Sequence, residues 1–145
     1  MFTANKALHC LSVANFMRTW APAVGVDSDF AWLVGYLHDI GYIKQAVDHS
    51  GIGHVMLSKY SLDLARYVLV HDRADPIQDS IEFLLKLGDL SIDEKGNFVG
   101  MTARFKSLNM RYGNMSLKPK LALMKDQLKV YAEENNFTEL FYLCI

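Results

Sequence analysis

His38 and Asp39 stand side by side in Gly35-Tyr36-Leu37-His38-Asp39-Ile40-Gly41, with His9 upstream and His49, His54 and His71 downstream. Imidazole nitrogens and carboxylate oxygens in this mixture are ligands of divalent transition metals. Two adjacent residues on a regular helix point about 100° apart, so both can face one ion only where the helix is ending. Gly41 is placed to end it. Each residue also has a plainer reading: His9 as a hydrogen-bonded core histidine, His49 as a surface residue beside Ser50-Gly51, Asp89 as a helix-end cap. Asp89 sits among Leu84, Leu85, Leu87 and Leu90, where a carboxylate is costly to bury without a charged partner.

The elements that must position these groups are helical. Apolar residues recur at three- and four-residue intervals and sustained alternation is missing, which predicts an all-α bundle. A first helix is expected over Ala4 to Trp20, with Leu8, Leu11, Phe16 and Trp20 on its apolar faces and Pro22 and Gly25 breaking it. Ser28 or Asp29 caps a second, Phe30 to Asp39, whose core face takes in Trp32, Leu33, Tyr36 and Leu37. A third runs from Gly51–Gly53 to about Lys59, and a fourth starts at Ser61 and ends near His71-Asp72. Asp75-Pro76 opens a fifth, Ile77 to Leu90, because Pro is tolerated in a first turn. Asp93 to Asn97 reads as a tight turn, with a short hairpin to Phe98-Val99. Thr102 to Tyr112 and Pro119 to Glu134 follow as helices, separated by Gly113-Asn114. The apolar end, Phe137 to Ile145, must pack back on the bundle or bind a partner, a second copy of the chain included.

With 145 residues and 51% hydrophobic content, the chain makes one domain with a proper core. No apolar run reaches the roughly 18 residues that span a bilayer, and Met-Phe-Thr-Ala-Asn-Lys lacks the plan of a secretory signal. Cys10 and Cys144 lie at opposite ends without metal-like spacing, which fits a reducing cytoplasm. Charge is uneven. Residues 1–93 hold seven Lys/Arg against eleven Asp/Glu, whereas residues 95–129 hold eight Lys/Arg against Asp126 alone. A basic C-terminal third could face a phosphate-bearing substrate, and only weakly a nucleic acid; the plainer reading is a solvated lysine-rich helix face.

In this order the motifs resemble the HD-domain superfamily of metal-dependent phosphohydrolases. His9-Cys10-Leu11-Ser12-Val13-Ala14 is similar to its first-helix signature, Leu37-His38-Asp39-Ile40-Gly41 to its HDIG core, and Leu87-Gly88-Asp89 to its closing aspartate. The resemblance covers about residues 7–93 and leaves the basic extension 94–145 unexplained. His49-Ser50-Gly51-Ile52-Gly53 is similar to a segment of members that hold two metals, and His71 fits the next ligand position. The resemblance thus implies a six-ligand set of His9, His38, Asp39, His49, His71 and Asp89 for two divalent ions, with His38 and Asp39 at the catalytic core. His54 falls where such relatives have a small residue.

In such a set Asp39 can give one oxygen to each ion, with the ions about 4 Å apart and a bridging water acidified for in-line attack on phosphorus. Nitrogen and carboxylate ligands suit iron, manganese, nickel, cobalt or zinc alike. HDIG members often continue with lysine; this chain has Tyr42, so Tyr42, Lys44, Arg73, Arg104 and Arg111 are the candidates to meet substrate phosphate. The expected activity is hydrolysis of a small phosphorylated metabolite, a nucleotide or dinucleoside polyphosphate. The alternatives are a di-iron oxygenase on the same fold and a catalytically silent metal- or nucleotide-binding module.

Overall fold

Thr3 starts the fold, its hydroxyl accepting the Lys6 N–H at 3.1 Å and capping α1 (Ala4–Val24). Such a cap contributes about 1 kcal/mol. In this computed structural model, which describes residues 2–44, 47–112 and 117–145, α1 is followed by α2 (Ser28–Leu37), a 3₁₀ turn (Ile40–Ile43), α3 (His49–Leu57), α4 (Leu62–Val70), α5 (Ser80–Asp89), α6 (Met101–Tyr112), α7 (Leu117–Asn135) and α8 (Thr138–Leu143). The architecture is all-α, and among the described residues the one β-type pairing is a bridge between Ile92 and Phe98. Gly113-Asn114, expected between α6 and α7, lie outside the described residues.

α5 is the axis of the bundle. Phe83, Leu84, Leu85 and Leu87 are fully buried, and each such side chain contributes about 1.5–3 kcal/mol by leaving water. α1, α2, α4 and α7 pack around it. Glu82 and Lys86 are buried with them as an ion pair at 3.0 Å. The Lys86 ammonium also donates to the Arg73 carbonyl at 2.8 Å, which ties the turn after α4 to α5. Removing one partner of such a pair costs about 3–5 kcal/mol, so the position of His71 is anchored from below.

The faces of α1 and α2 differ from the sequence expectation. Leu8, Leu11, Leu33 and Tyr36 are exposed, and α2 turns Ala31, Val34 and Gly35 inward. Close approach decides this: a Cβ on Gly35 would lie 2.8 Å from the Ala14 Cα. Small residues let the two backbones meet, and the large ones are left to the outside. Pro22 does not break α1 either; it sits in the last turn, where it forfeits one hydrogen bond while Ala21 and Val24 stay buried. Gly25, at φ 76°, ends the helix in the left-handed conformation.

Helix starts also move. Asp27, rather than Ser28 or Asp29, caps α2, α3 starts at His49, and α5 begins at Ser80, after Asp79 accepts the Glu82 N–H at 3.0 Å. Residues 71–79 cross from α4 to α5 without helix. The apolar C-terminus packs back: Leu140, Phe141 and Cys144 are buried, and the Cys144 carbonyl accepts the Met101 N–H at 2.7 Å.

Candidate metal centre and its cavity

α2 stops at Leu37, which leaves His38 and Asp39 in a turn rather than on the helix. Both are buried. Gly41 does not cap α2; it lies in the 3₁₀ turn, and a Cβ there would run into the His49 carbonyl. Its smallness brings the His38-Asp39 turn against the first residue of α3. His9 arrives from α1, His71 from the end of α4 and Asp89 from the end of α5.

The backbone sets the histidine tautomers. Nδ1–H of His9 donates to the Asp93 carbonyl at 2.9 Å, that of His38 to Gly35 at 2.6 Å and that of His71 to Val68 at 2.6 Å. A carbonyl only accepts, so each Nδ1 is protonated and the atom left for a metal is Nε2. These Nε2 atoms converge on two carboxylates. Asp39 Oδ2 lies 3.3 Å from His38 Nε2 and 3.9 Å from His9 Nε2, while Oδ1 lies 3.4 Å from both His49 Nε2 and His71 Nε2. Asp89 Oδ1 is 2.8 Å from His9 Nε2 and 3.3 Å from His38 Nε2. Two clusters that could each hold a metal ion result, His9/His38/Asp39/Asp89 and Asp39/His49/His71, each with its donor atoms within 4.8 Å of one another. Asp39 belongs to both, one oxygen to each side.

The donors fit divalent ions on chemistry as well as on spacing. His38 Nε2 is buried without a hydrogen-bond partner, although it lies 3.3 Å from each of two carboxylate oxygens. His49 and His71 bring their Nε2 atoms to 3.2 Å of each other; two lone pairs at that distance repel unless a proton or a metal lies between them. Burial opposes charge at His38, yet Asp39 and Asp89 outweigh it and hold its pKa well above the ordinary imidazole value. Burial likewise pushes Asp39 and Asp89 up, and His38, with His71 or His9, pulls both well below the ordinary carboxylate value. Burial lowers His71 too, but contact with Asp39 leaves it raised. His49 is lowered, by burial and then by His71.

Above the clusters is a cavity of about 210 Å³ whose wall includes Lys6, Tyr42, Asp72, Glu94, Arg104, Arg111 and Lys120, with apolar side chains from α6 and α7. Tyr42 stacks on His49, ring centres 4.2 Å apart and planes 20° apart. Arg104 and Arg111 both reach Glu94, at 3.4 Å and 2.8 Å. Lys44 and Arg73 are exposed and do not line this cavity; Lys44 follows the 3₁₀ turn outward, and Arg73 uses its carbonyl, not its side chain, to meet Lys86. His54 belongs to neither cluster; its Nδ1–H donates to the Ala65 carbonyl at 3.0 Å and pins α3 to α4.

Four polar residues of the wall, Lys6, Asp72, Glu94 and Lys120, escape the sequence reading, Glu94 showing there only as part of a turn. Lys6 donates to Asp39 Oδ2 at 3.2 Å and lies 4.1 Å from the centre of the Tyr42 ring. Its signal is the three-residue step to His9, which puts both on one face of α1. Asp72 Oδ2 is 3.8 Å from His49 Nε2, and its signal is adjacency to His71. Lys120 had no local signal beyond the basic composition of its helix.

An all-α bundle that gathers this His/Asp set is the arrangement of a metal-dependent HD fold. The chain belongs to the HD domain family, whose model matches residues 7–115, and members of that family are generally metal-dependent phosphohydrolases. The match runs beyond residue 93, where the motif resemblance stops, and takes in α6 with Arg104 and Arg111. No curated protein and no solved structure gives a significant match. Among the described residues no helix is long and apolar enough to cross a membrane.

Proposed function

We propose that this chain is a single-domain, divalent-metal-dependent phosphohydrolase acting on a small phosphorylated metabolite, with nucleotides and dinucleoside polyphosphates the first classes to test. The observation that carries this reading is Asp39, whose two oxygens face two separate histidine clusters. His9, His38, Asp39 and Asp89 hold one ion, and Asp39, His49 and His71 the other. Bound there, iron, manganese, nickel, cobalt or zinc supplies an acidified water and positive charge for phosphoryl oxygens. His38 and Asp39 are the core of that site.

The chain's own residues do the rest. Lys6 takes over the phosphate-facing place for which lysine at position 42 is absent, its ammonium lying over the Tyr42 ring. With Asp39 committed to metal, the ammonium turns to a phosphoryl oxygen. Arg104 and Arg111 neutralise further phosphate charge. Hydrolysis puts a water oxygen on phosphorus and breaks the phosphorus–oxygen bond to the remainder, which leaves with that electron pair and takes up a proton. Free, buried thiols at Cys10 and Cys144 fit a cytoplasmic setting.

The test is phosphate release from a panel of nucleotides, dinucleoside polyphosphates and simple phosphoesters by protein stripped and reloaded with manganese or iron, under air and without oxygen. Release in both atmospheres supports the hydrolase. Metal uptake with no phosphate released from any compound rejects it, and oxygen consumption in its place identifies the oxygenase.

A further inference from the structure

Arg104 is in an unusual electrostatic position for a structural residue. It is 8% exposed, its hydrogen bond among the described residues is a long 3.4 Å contact to Glu94, and its Nε finds no acceptor. A buried guanidinium with incomplete pairing is costly. Glu94 cannot compensate, because it also serves Arg111 at 2.8 Å. Lys120, on the same wall, makes no ion pair among the described residues. Glu94 is thus shared by two guanidinium groups, Lys120 adds a third cation to the same wall, and this part of the wall does not contribute to either histidine cluster.

We propose that Arg104, flanked by Arg111 and Lys120, is a second anion subsite, and that the preferred substrate carries an anionic group in addition to the phosphoryl group that is cleaved. This rests on the phosphohydrolase reading for the first group and on the unpaired charge of the wall for the second. The ligand class is a compound with two anionic centres, such as a nucleoside polyphosphate or a bisphosphate, in preference to a monoester of a neutral alcohol. A planar guanidinium with free N–H groups suits the paired oxygens of phosphate or carboxylate.

Calorimetric titration of the metal-loaded full chain with methylphosphonate and with a series of α,ω-bisphosphonates of one to four methylenes separates the two readings, since none of these compounds is hydrolysed. At least one bisphosphonate should bind about 10-fold or more tighter than methylphosphonate. Arg104→Gln should abolish that advantage, weakening the bisphosphonate far more than methylphosphonate, while leaving metal content unchanged. Arg111→Gln and Lys120→Gln, at less buried positions on the same wall, should each reduce the advantage, by about threefold, and remain informative if Arg104→Gln folds poorly. Equal affinity for one and two anionic groups, or equal loss for both ligand types in the three variants, overturns the proposal. If the protein releases no phosphate from any substrate yet prefers a bisphosphonate, the hydrolase reading fails and the subsite stands. Turnover without any such preference has the opposite meaning.

Discussion

The two ligand clusters that share Asp39 are built to different standards. On the Oδ2 side, His9 and His38 are buried, each has its Nδ1–H fixed on a backbone carbonyl, and Asp89 adds a second carboxylate. On the Oδ1 side, His71 is fixed in that way, but His49 is partly exposed and is oriented by stacking on Tyr42. Its additional carboxylate, Asp72, stands off at 3.8 Å. A ligand locked by backbone hydrogen bonds loses little freedom when it takes a metal, whereas one held by a stacking contact must be ordered further. On the proposed reading the first cluster binds its ion tightly and the second is the looser site, facing the cavity.

Asp39→Ala is the largest expected break, because it removes an oxygen from both clusters at once. Metal affinity at both should fall by more than about 100-fold, beyond the usual cost of losing a group that only supports a ligand, and phosphate release should vanish with it. Elemental analysis after dialysis checks this; a variant that retains the wild-type metal content removes the basis of the shared-carboxylate assignment.

Separating the clusters sharpens the comparison. Asp89→Ala should empty the Oδ2 side, and His49→Ala should empty the Oδ1 side while the other ion stays. If the two variants lose the same ion, or if Asp89→Ala is the milder of the two, the ranking of the sites is wrong. A smaller effect is expected from Tyr42. Tyr42→Leu removes the ring that orients His49 and should weaken the second ion about 10-fold, whereas Tyr42→Phe keeps the stack and should leave that affinity near wild type.

The difference between the clusters also tracks how readable they were. The ligand types sit in short motifs, and that a helix ends close to the His38-Asp39 pair is local information, although α2 stops at Leu37 rather than running to Asp39. Ser61 as a cap and the turn at Asp93 to Asn97 were legible for the same reason. What depended on distant partners was not. Ala31, Val34 and Gly35 became the inner face of α2 because α1 offers Ala14 at close range, and no pattern within α2 announces that. Lys6 resembles any solvated lysine until α1 and the 3₁₀ turn are placed together. Gly41 has the look of a helix stop in the sequence, but its smallness serves contact with His49, eight residues on.

The subtlest expected difference lies in the metal-free protein, where protons stand in for ions. His38 has a raised pKa in the fold. Between the ordinary imidazole value of about 6.5 and that raised value, the folded chain keeps a proton that the unfolded chain has released, so stability falls as pH rises. His49 is lowered, and the sign reverses: between its lowered value and the ordinary one, the unfolded chain binds more protons and stability rises with pH. Chelated wild type should therefore lose melting temperature on the alkaline side through His38 and, with it, the raised His71, and on the acid side through His49. His49→Gln should flatten the acid limb and leave the alkaline decline intact. Loaded with metal, the protein should lose the alkaline decline, since bound cations replace the imidazolium charge that Asp39 and Asp89 require. Should His49→Gln instead erase the whole alkaline limb, His38 contributes nothing to it and the assignment of its retained proton to the inner cluster fails.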